Sequence, residues 1–185
     1  MQDEILVKRL QQGDRAAFDE LYTRYRDDAL RTASLITGSR ADGEDVVQEA
    51  FVQCYQRIGQ LRDPTRFKSW LWTLLTRAAW KYCRRRGREE PVAEFFDDGA
   101  KAGESALGAV LRTEQNRELF QAVQALEQKQ RTVVVLYYYN DMAVRDIARV
   151  LECREGTVKS RLFAARRNLQ KAMEHSGNDL EGVRI

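Results

Sequence analysis

From Phe67 to Tyr82 the apolar residues Phe67, Trp70, Leu71, Leu74, Leu75, Ala78 and Tyr82 recur at i, i+3, i+4, i+7, i+8, i+11 and i+15. Only a helix of about 3.6 residues per turn gathers such a series on one side. Stripes of the same period run through Phe18, Leu21, Tyr22, Tyr25, Ala29, Ala33 and Ile36, and through Val47, Ala50, Phe51, Cys54, Tyr55 and Ile58. The chain has two prolines in 185 residues, Pro64 and Pro91, so helices are free to run long. With 43% hydrophobic and 32% charged residues, it has the apolar content to bury a core and is not a disordered polyampholyte. The expected fold class is all-α.

Two small helical domains are expected, at 1–86 and 114–175, with a tail at 176–185. The stretch 87–113, "GREEPVAEFFDDGAKAGESALGAVLRT", reads as a flexible linker: it holds Pro91, four glycines and six acids. Its Phe95 and Phe96 suit transient docking on a neighbour. In the first domain "TGSRADG" at 37–43 breaks one helix, and "RDPTRF" turns the chain with Pro64 placed for a first helical turn. In the second, Leu119, Val123 and Leu126 begin a helix. "RTVVVLYYY" at 131–139 fits a buried strand or a buried helix. Helices on both sides and the lack of a partner strand select the helix.

Net charge is only +3, but it is unevenly spread. Residues 77–88 carry six cations and no acid, and residues 153–171 carry six cations against Glu155 alone. Two basic islands on an otherwise acidic chain suit two contacts with a polyanion, although charge runs also make ordinary solvated helix faces.

The second island has helix–turn–helix logic. "AVRDIARVL" is a short helix with Val144, Ile147, Ala148 and Leu151 inward, and "ECREG" is a turn. Thr157 is placed near the start of the next helix, where a hydroxyl caps free N–H groups. That helix buries Val158, Leu162, Ala165 and Leu169, which share roughly 60° of arc at 100° per residue. Lys159, Ser160, Phe163 and Arg167 fall opposite, a face suited to the major groove of duplex DNA, with Phe163 able to meet a thymine methyl. Arg154 precedes the helix. Arg161 sits beside the core stripe and is expected to hold a phosphate or an acid.

The first island differs. Thr73, Arg77, Trp80 and Arg84 fall on one flank of helix 66–86, with Trp72 and Thr76 on the other, while Trp70 falls on the core side. Exposed tryptophans beside arginines suit single-stranded nucleic acid, where bases stack on rings for about 1–3 kcal/mol each. An aromatic-rich subunit interface fits those residues equally well.

Other chemistry finds no support. Cys54, Cys83 and Cys153 stand far apart, and His175 is the only histidine, so no zinc set exists. There is no Gly-rich phosphate loop and no nucleophile–base pair. Neither an enzyme, nor a cofactor, nor a metal is expected. No apolar run reaches membrane-spanning length, and "MQDEILVKRL" lacks a signal-peptide pattern, so no membrane insertion and a cytoplasmic location are expected.

"EDVVQEAFVQCYQRI" at 44–58, "FKSWLWTLLTRAAWKYCRRRGR" at 67–88 and "DIARVLECREGTVKSRLFAARRNLQKAM" at 146–173 together resemble the extracytoplasmic-function (ECF, group IV) sigma factors of bacterial RNA polymerase, in order and spacing, over nearly the whole chain. The resemblance implies that the first domain is sigma region 2. Its helix 44–58 would dock on the clamp helices of the polymerase largest subunit through Asp45, Gln48 and Glu49. The helix 67–86 would capture the non-template strand of the −10 element, so Trp72, Thr73, Arg77, Trp80 and Arg84 are the candidate −10 residues. The second domain would be region 4. It would read duplex −35 DNA through Lys159, Ser160 and Phe163, with Arg154, Thr157 and Arg167 around them, and would seat on the flap of the second-largest subunit through 119–140. An anti-sigma factor is an implied partner.

Three positions depart from the family pattern. Many members have Asn at Arg77, and Arg cannot copy an amide's donor–acceptor pattern, so the resemblance does not fix the −10 preference. Ala164 stands where some relatives are basic. Glu127 replaces a frequent proline. Two other readings compete. A stand-alone helix–turn–helix regulator would leave Gln48, Glu49, Trp72 and Trp80 idle. An all-helical adaptor without a DNA role would show no salt-dependent affinity.

Overall fold

The computed structural model describes residues 2–86 and 114–175. The expected linker and tail, with Phe95 and Phe96, lie outside the described residues. The described residues form helices and turns, with no strand. In chain order the helices are α1 (Gln2–Gln11), α2 (Arg15–Thr37), α3 (Arg40–Arg57), α4 (Phe67–Arg86), α5 (Glu114–Gln124), α6 (Gln128–Val134), α7 (Val144–Val150) and α8 (Glu155–His175). None is long and apolar enough to cross a membrane.

Local chemistry sets the boundaries. The Asp14 carboxylate accepts from the Ala16 N–H at 3.0 Å and opens α2. Gly38 closes it at φ +82, its N–H donating to the Ser34 carbonyl at 2.8 Å. Ser39 then caps α3 by accepting from the Asp42 N–H at 3.3 Å. The break expected across 37–43 is therefore only two residues wide, and Arg40–Gly43 are helical. An N-cap serine directly after a left-handed glycine restarts the helix at once. Gly43 is also where α3 crosses α2: a Cβ there would lie 2.3 Å from Ser34 Oγ and 2.9 Å from the Ser34 nitrogen. Pro64 opens a 3₁₀ turn (Pro64–Arg66), capped by Asp63, that runs into α4.

α4 is the central element. It packs on α2 and α3 from one side and on α7 from the other. Leu71, Trp72, Leu74, Leu75, Thr76, Ala78 and Ala79 are consequently all buried. Each large side chain of this kind contributes about 1.5–3 kcal/mol on leaving water. The first unit's core adds Val7, Leu21, Ile36, Val46 and Phe67.

The stretch 131–139 is helical, as expected. α6 carries it to Val134, and a π-helical turn, Val135–Tyr139, completes it, with the Asn140 N–H donating to the Val135 carbonyl. Val133, Leu136, Ile147 and Val150 form the second unit's core with Val158, Leu162, Ala165 and Leu169 of α8. Between α7 and α8 the chain turns through Glu152 at φ +49, and the Cys153 N–H donates to the Ala148 carbonyl at 2.9 Å. α8 starts at Glu155, so Thr157 is its third residue rather than its cap.

The two units do not stand apart. Buried side chains of both belong to one continuous apolar cluster. Polar bonds cross the joint: Gln124 Nε2 to the Leu35 carbonyl at 2.9 Å, Asn140 Nδ2 to Thr32 Oγ1 at 3.0 Å, and Trp80 Nε1 to Thr132 Oγ1 at 2.9 Å.

Candidate nucleic-acid interface

α8 presents the face read from the sequence. Its core stripe runs Val158, Leu162, Ala165, Leu169 and Met173, all buried, so the opposite residues face water. Lys159, Ser160 and Arg167 are exposed, and Phe163 is 68% exposed, the most exposed large apolar residue among those described. Arg154 is exposed at the helix entry, and Thr157 is half-buried. Arg154, Lys159 and Arg167 have no acidic partner within ion-pair distance among the described residues. The Ser160 hydroxyl donates to the Thr157 carbonyl at 3.0 Å. Arg161 is half-buried, with one buried guanidinium nitrogen lacking a partner among the described residues.

Two features of this unit escaped the sequence. Arg145 and Arg149 of α7 line a hollow with Arg154, Glu152, Glu155 and Cys153. Periodicity makes both arginines ordinary surface, and only the turn brings them beside Arg154. Arg166 is the reverse case. It looks free in a helical projection, yet its Nε donates to Tyr138 Oη at 2.7 Å and its guanidinium lies 5.7 Å from that ring. The π-helical turn carries Tyr138 there.

α4 corrects two assignments. Trp72 is only 1% exposed, with its ring 5.9 Å from Tyr25, and it is not a stacking platform. Thr76 is buried too, its hydroxyl donating to the Trp72 carbonyl. A helical projection assumes one buried stripe, whereas α4 is enclosed from several sides. Trp80 is half-buried, because α6 covers part of it and Thr132 accepts its N–H. Thr73 is half-buried and bonds the Ser69 carbonyl at 2.9 Å. Arg77 and Arg84 are exposed, and Arg77 is paired with Glu152 of the second unit at 2.5 Å. Trp70 packs partly buried against Phe67.

On α3, Asp45 and Gln48 are exposed as expected. Glu49 is not free: it is half-buried and accepts from Lys81 Nζ at 2.6 Å and Gln53 Nε2 at 3.0 Å. Val52 and Tyr55 extend the same face, 48% and 43% exposed. The helical period places Tyr55 in the core stripe. It instead meets Phe18 edge-on at 5.2 Å on the rim of the unit.

Burial also shifts one cation and two thiols. Arg131 is half-buried, and desolvation lowers its pKa. Burial raises the thiol of the half-buried Cys83, and pushes that of the core residue Cys54 up to about 12, so both favour the protonated form. Among the described residues no group of three potential metal ligands converges.

Residues 21–89 match the family model described as Sigma-70 region 2, and residues 116–169 match that described as Sigma-70, region 4. The RNA polymerase sigma-H factor of Pseudomonas aeruginosa is 35% identical over 182 residues, 94% of this chain and 94% of that protein. The ECF RNA polymerase sigma-E factor of Haemophilus influenzae is 32% identical over 183 residues, 93% of this chain and 95% of that protein. Among solved structures, the sigma factor RpoE bound to the anti-sigma factor NepR, from Bartonella quintana, superposes with a TM-score of 0.68 at 22% identity, covering 85% of this chain and 96% of that one.

Proposed function

Because the chain belongs to the ECF sigma factors of the sigma-70 family, we propose that it binds core RNA polymerase in the cytoplasm and directs it to promoters read at −35 as duplex and at −10 as an opened strand. It performs no covalent reaction; polymerisation belongs to its partner. The observation that carries the reading is the presence, in one chain, of both sigma regions with the α8 face of Lys159, Ser160, Phe163 and Arg167 open to solvent.

In this mechanism α8 enters the major groove. Lys159, Ser160 and Phe163 meet base edges, while Arg154 and Arg167 hold phosphates. Arg145 and Arg149 stand beside Arg154 and suit the flanking backbone. On the first unit, Arg77, Arg84, Thr73 and the open part of Trp80 take the −10 strand. Holding extruded bases there offsets the few kcal/mol that each unstacking costs. Asp45, Gln48 and Glu49 face the polymerase clamp helices. An anti-sigma factor is a further partner, by similarity to the complex with NepR.

The deciding experiment is run-off transcription with purified bacterial core polymerase on a pool of promoter fragments. Start sites that require this protein establish the reading. Salt-sensitive binding to free duplex without transcripts would favour a stand-alone helix–turn–helix regulator.

A further inference from the structure

The exposed face of α8 opens on a glycine. Gly156 is the second residue of the helix. With Ser160, Phe163 and Arg167 it falls within about 60° of arc on the side away from the core, and all four are exposed. A Cβ added at Gly156 would meet nothing within 4 Å, and its φ is not positive. Neither packing nor backbone conformation therefore requires glycine there, although glycine in a helix is less stable than alanine. What the missing side chain does is leave the first turn of α8 bare to a molecule arriving from solvent.

One turn further in, Ser160 has a fixed polarity. Its hydroxyl donates to the Thr157 carbonyl at 3.0 Å. A hydroxyl has one proton and two lone pairs. With the proton committed inside the helix, Ser160 presents only lone pairs to the outside. In the major groove the donors are the exocyclic amino groups, adenine N6 and cytosine N4, whereas guanine and thymine present acceptors there.

We infer that the entry of α8 reads one base at close range: Gly156 leaves room for the base edge to reach Ser160, and Ser160 accepts from an exocyclic amino group, so its position in the −35 element is adenine or cytosine. This inference rests on the promoter-reading function proposed above and names the base chemistry of that same site. Selectivity follows from what a wrong base leaves behind. Against guanine or thymine, the Ser160 lone pairs face another acceptor. The hydroxyl relieves this only by turning its proton outward, which gives up the bond to Thr157. Adenine or cytosine keeps both bonds. The difference is one neutral hydrogen bond, about fivefold in affinity. Lys159, the preceding residue, has the converse polarity, with three donors and no acceptor, so the two neighbours select different bases.

The test uses the full chain bound to purified core polymerase. Duplexes retained from a randomised library are sequenced for wild type and for Ser160→Ala. Wild type should enrich adenine or cytosine about fivefold at one position of the upstream element, and Ser160→Ala should lose the preference at that position alone. The selected duplex is then remade with the purine or pyrimidinone analogue that lacks only the amino group. Wild type should bind it about fivefold less tightly, and Ser160→Ala should bind both duplexes alike. A loss of equal size in both proteins would overturn the assignment, as would guanine or thymine at the position that Ser160→Ala relaxes. Gly156→Ala should melt no earlier than wild type, yet bind the selected duplex about tenfold less tightly, the scale of a methyl group forced into a filled contact. Unchanged binding would remove the close approach on which the reading depends. If wild type enriches no sequence, the promoter-reading function falls and the base assignment falls with it. An enriched sequence whose every position survives Ser160→Ala removes the base assignment alone.

Discussion

Lys81 of α4 holds the Glu49 carboxylate of α3 at 2.6 Å, tying the helix expected to meet polymerase to the helix expected to meet DNA. Changing Gln48 and Glu49 together to Ala should weaken binding to core polymerase about tenfold or more, while the melting temperature moves little, because this partly exposed pair contributes about 0.2–1 kcal/mol. Affinity capture on core polymerase, with a thermal melt of the free protein, checks both halves. Unchanged capture would remove this face from the docking surface.

Phe163→Ala and Lys159→Ala should leave stability within about 0.5 kcal/mol, since neither side chain is packed. Transcription from a promoter with an intact −35 element should fall toward the level seen with that element scrambled, and core binding should persist. A parallel loss of core binding would place the wrong function on this face.

Arg167→Ala should weaken duplex binding alike across sequences and reduce the slope of log K against log salt by about 1. Titrations at several salt concentrations give the slope directly. A loss confined to one base position would make Arg167 a reader of sequence rather than a phosphate contact.

Trp72→Ala should destabilise the protein by about 3–5 kcal/mol, the cost of emptying a large buried site. Trp72→Phe should cost less, because it also discards an indole N–H that has no partner among the described residues. Denaturant unfolding measures both. Single-strand affinity of the folded Phe variant should match wild type. A marked drop would return Trp72 to the DNA-contacting set.

Burial raises Cys54 from an ordinary 9.0 to about 12, so the unfolded chain loses this proton first. Its contribution to stability is whole below pH 9 and is lost as pH climbs from 9 toward 12. Unfolding free energy measured across that window should fall more steeply in wild type than in Cys54→Ala. Equal slopes would mean that Cys54 ionises as freely in the fold as outside it.

Helices α2, α3, α4 and α8 were legible because each repeats its apolar residues at helical spacing, and local propensity and burial agree there. The open face of α8 was legible for the same reason: a helix that buries one stripe leaves its other side to solvent. The helical state of 131–139 followed from its neighbours, although the π-helical turn at its end did not, and with it went the capture of Arg166 by Tyr138.

What the sequence by itself determined is thus the all-α class, the order of the helices and the reading face of α8, all of which depend on residues within one or two turns of each other. Tertiary structure alone decided the surroundings of α4. Enclosure by α2, α3, α6 and α7 buried Trp72, covered part of Trp80 and paired Arg77 with Glu152, 75 residues away. A helical projection holds the angle of a side chain about its own axis, but the number of neighbours around that axis is a property of the assembled chain. That number is what turns a flank that looks exposed into core or into an interface.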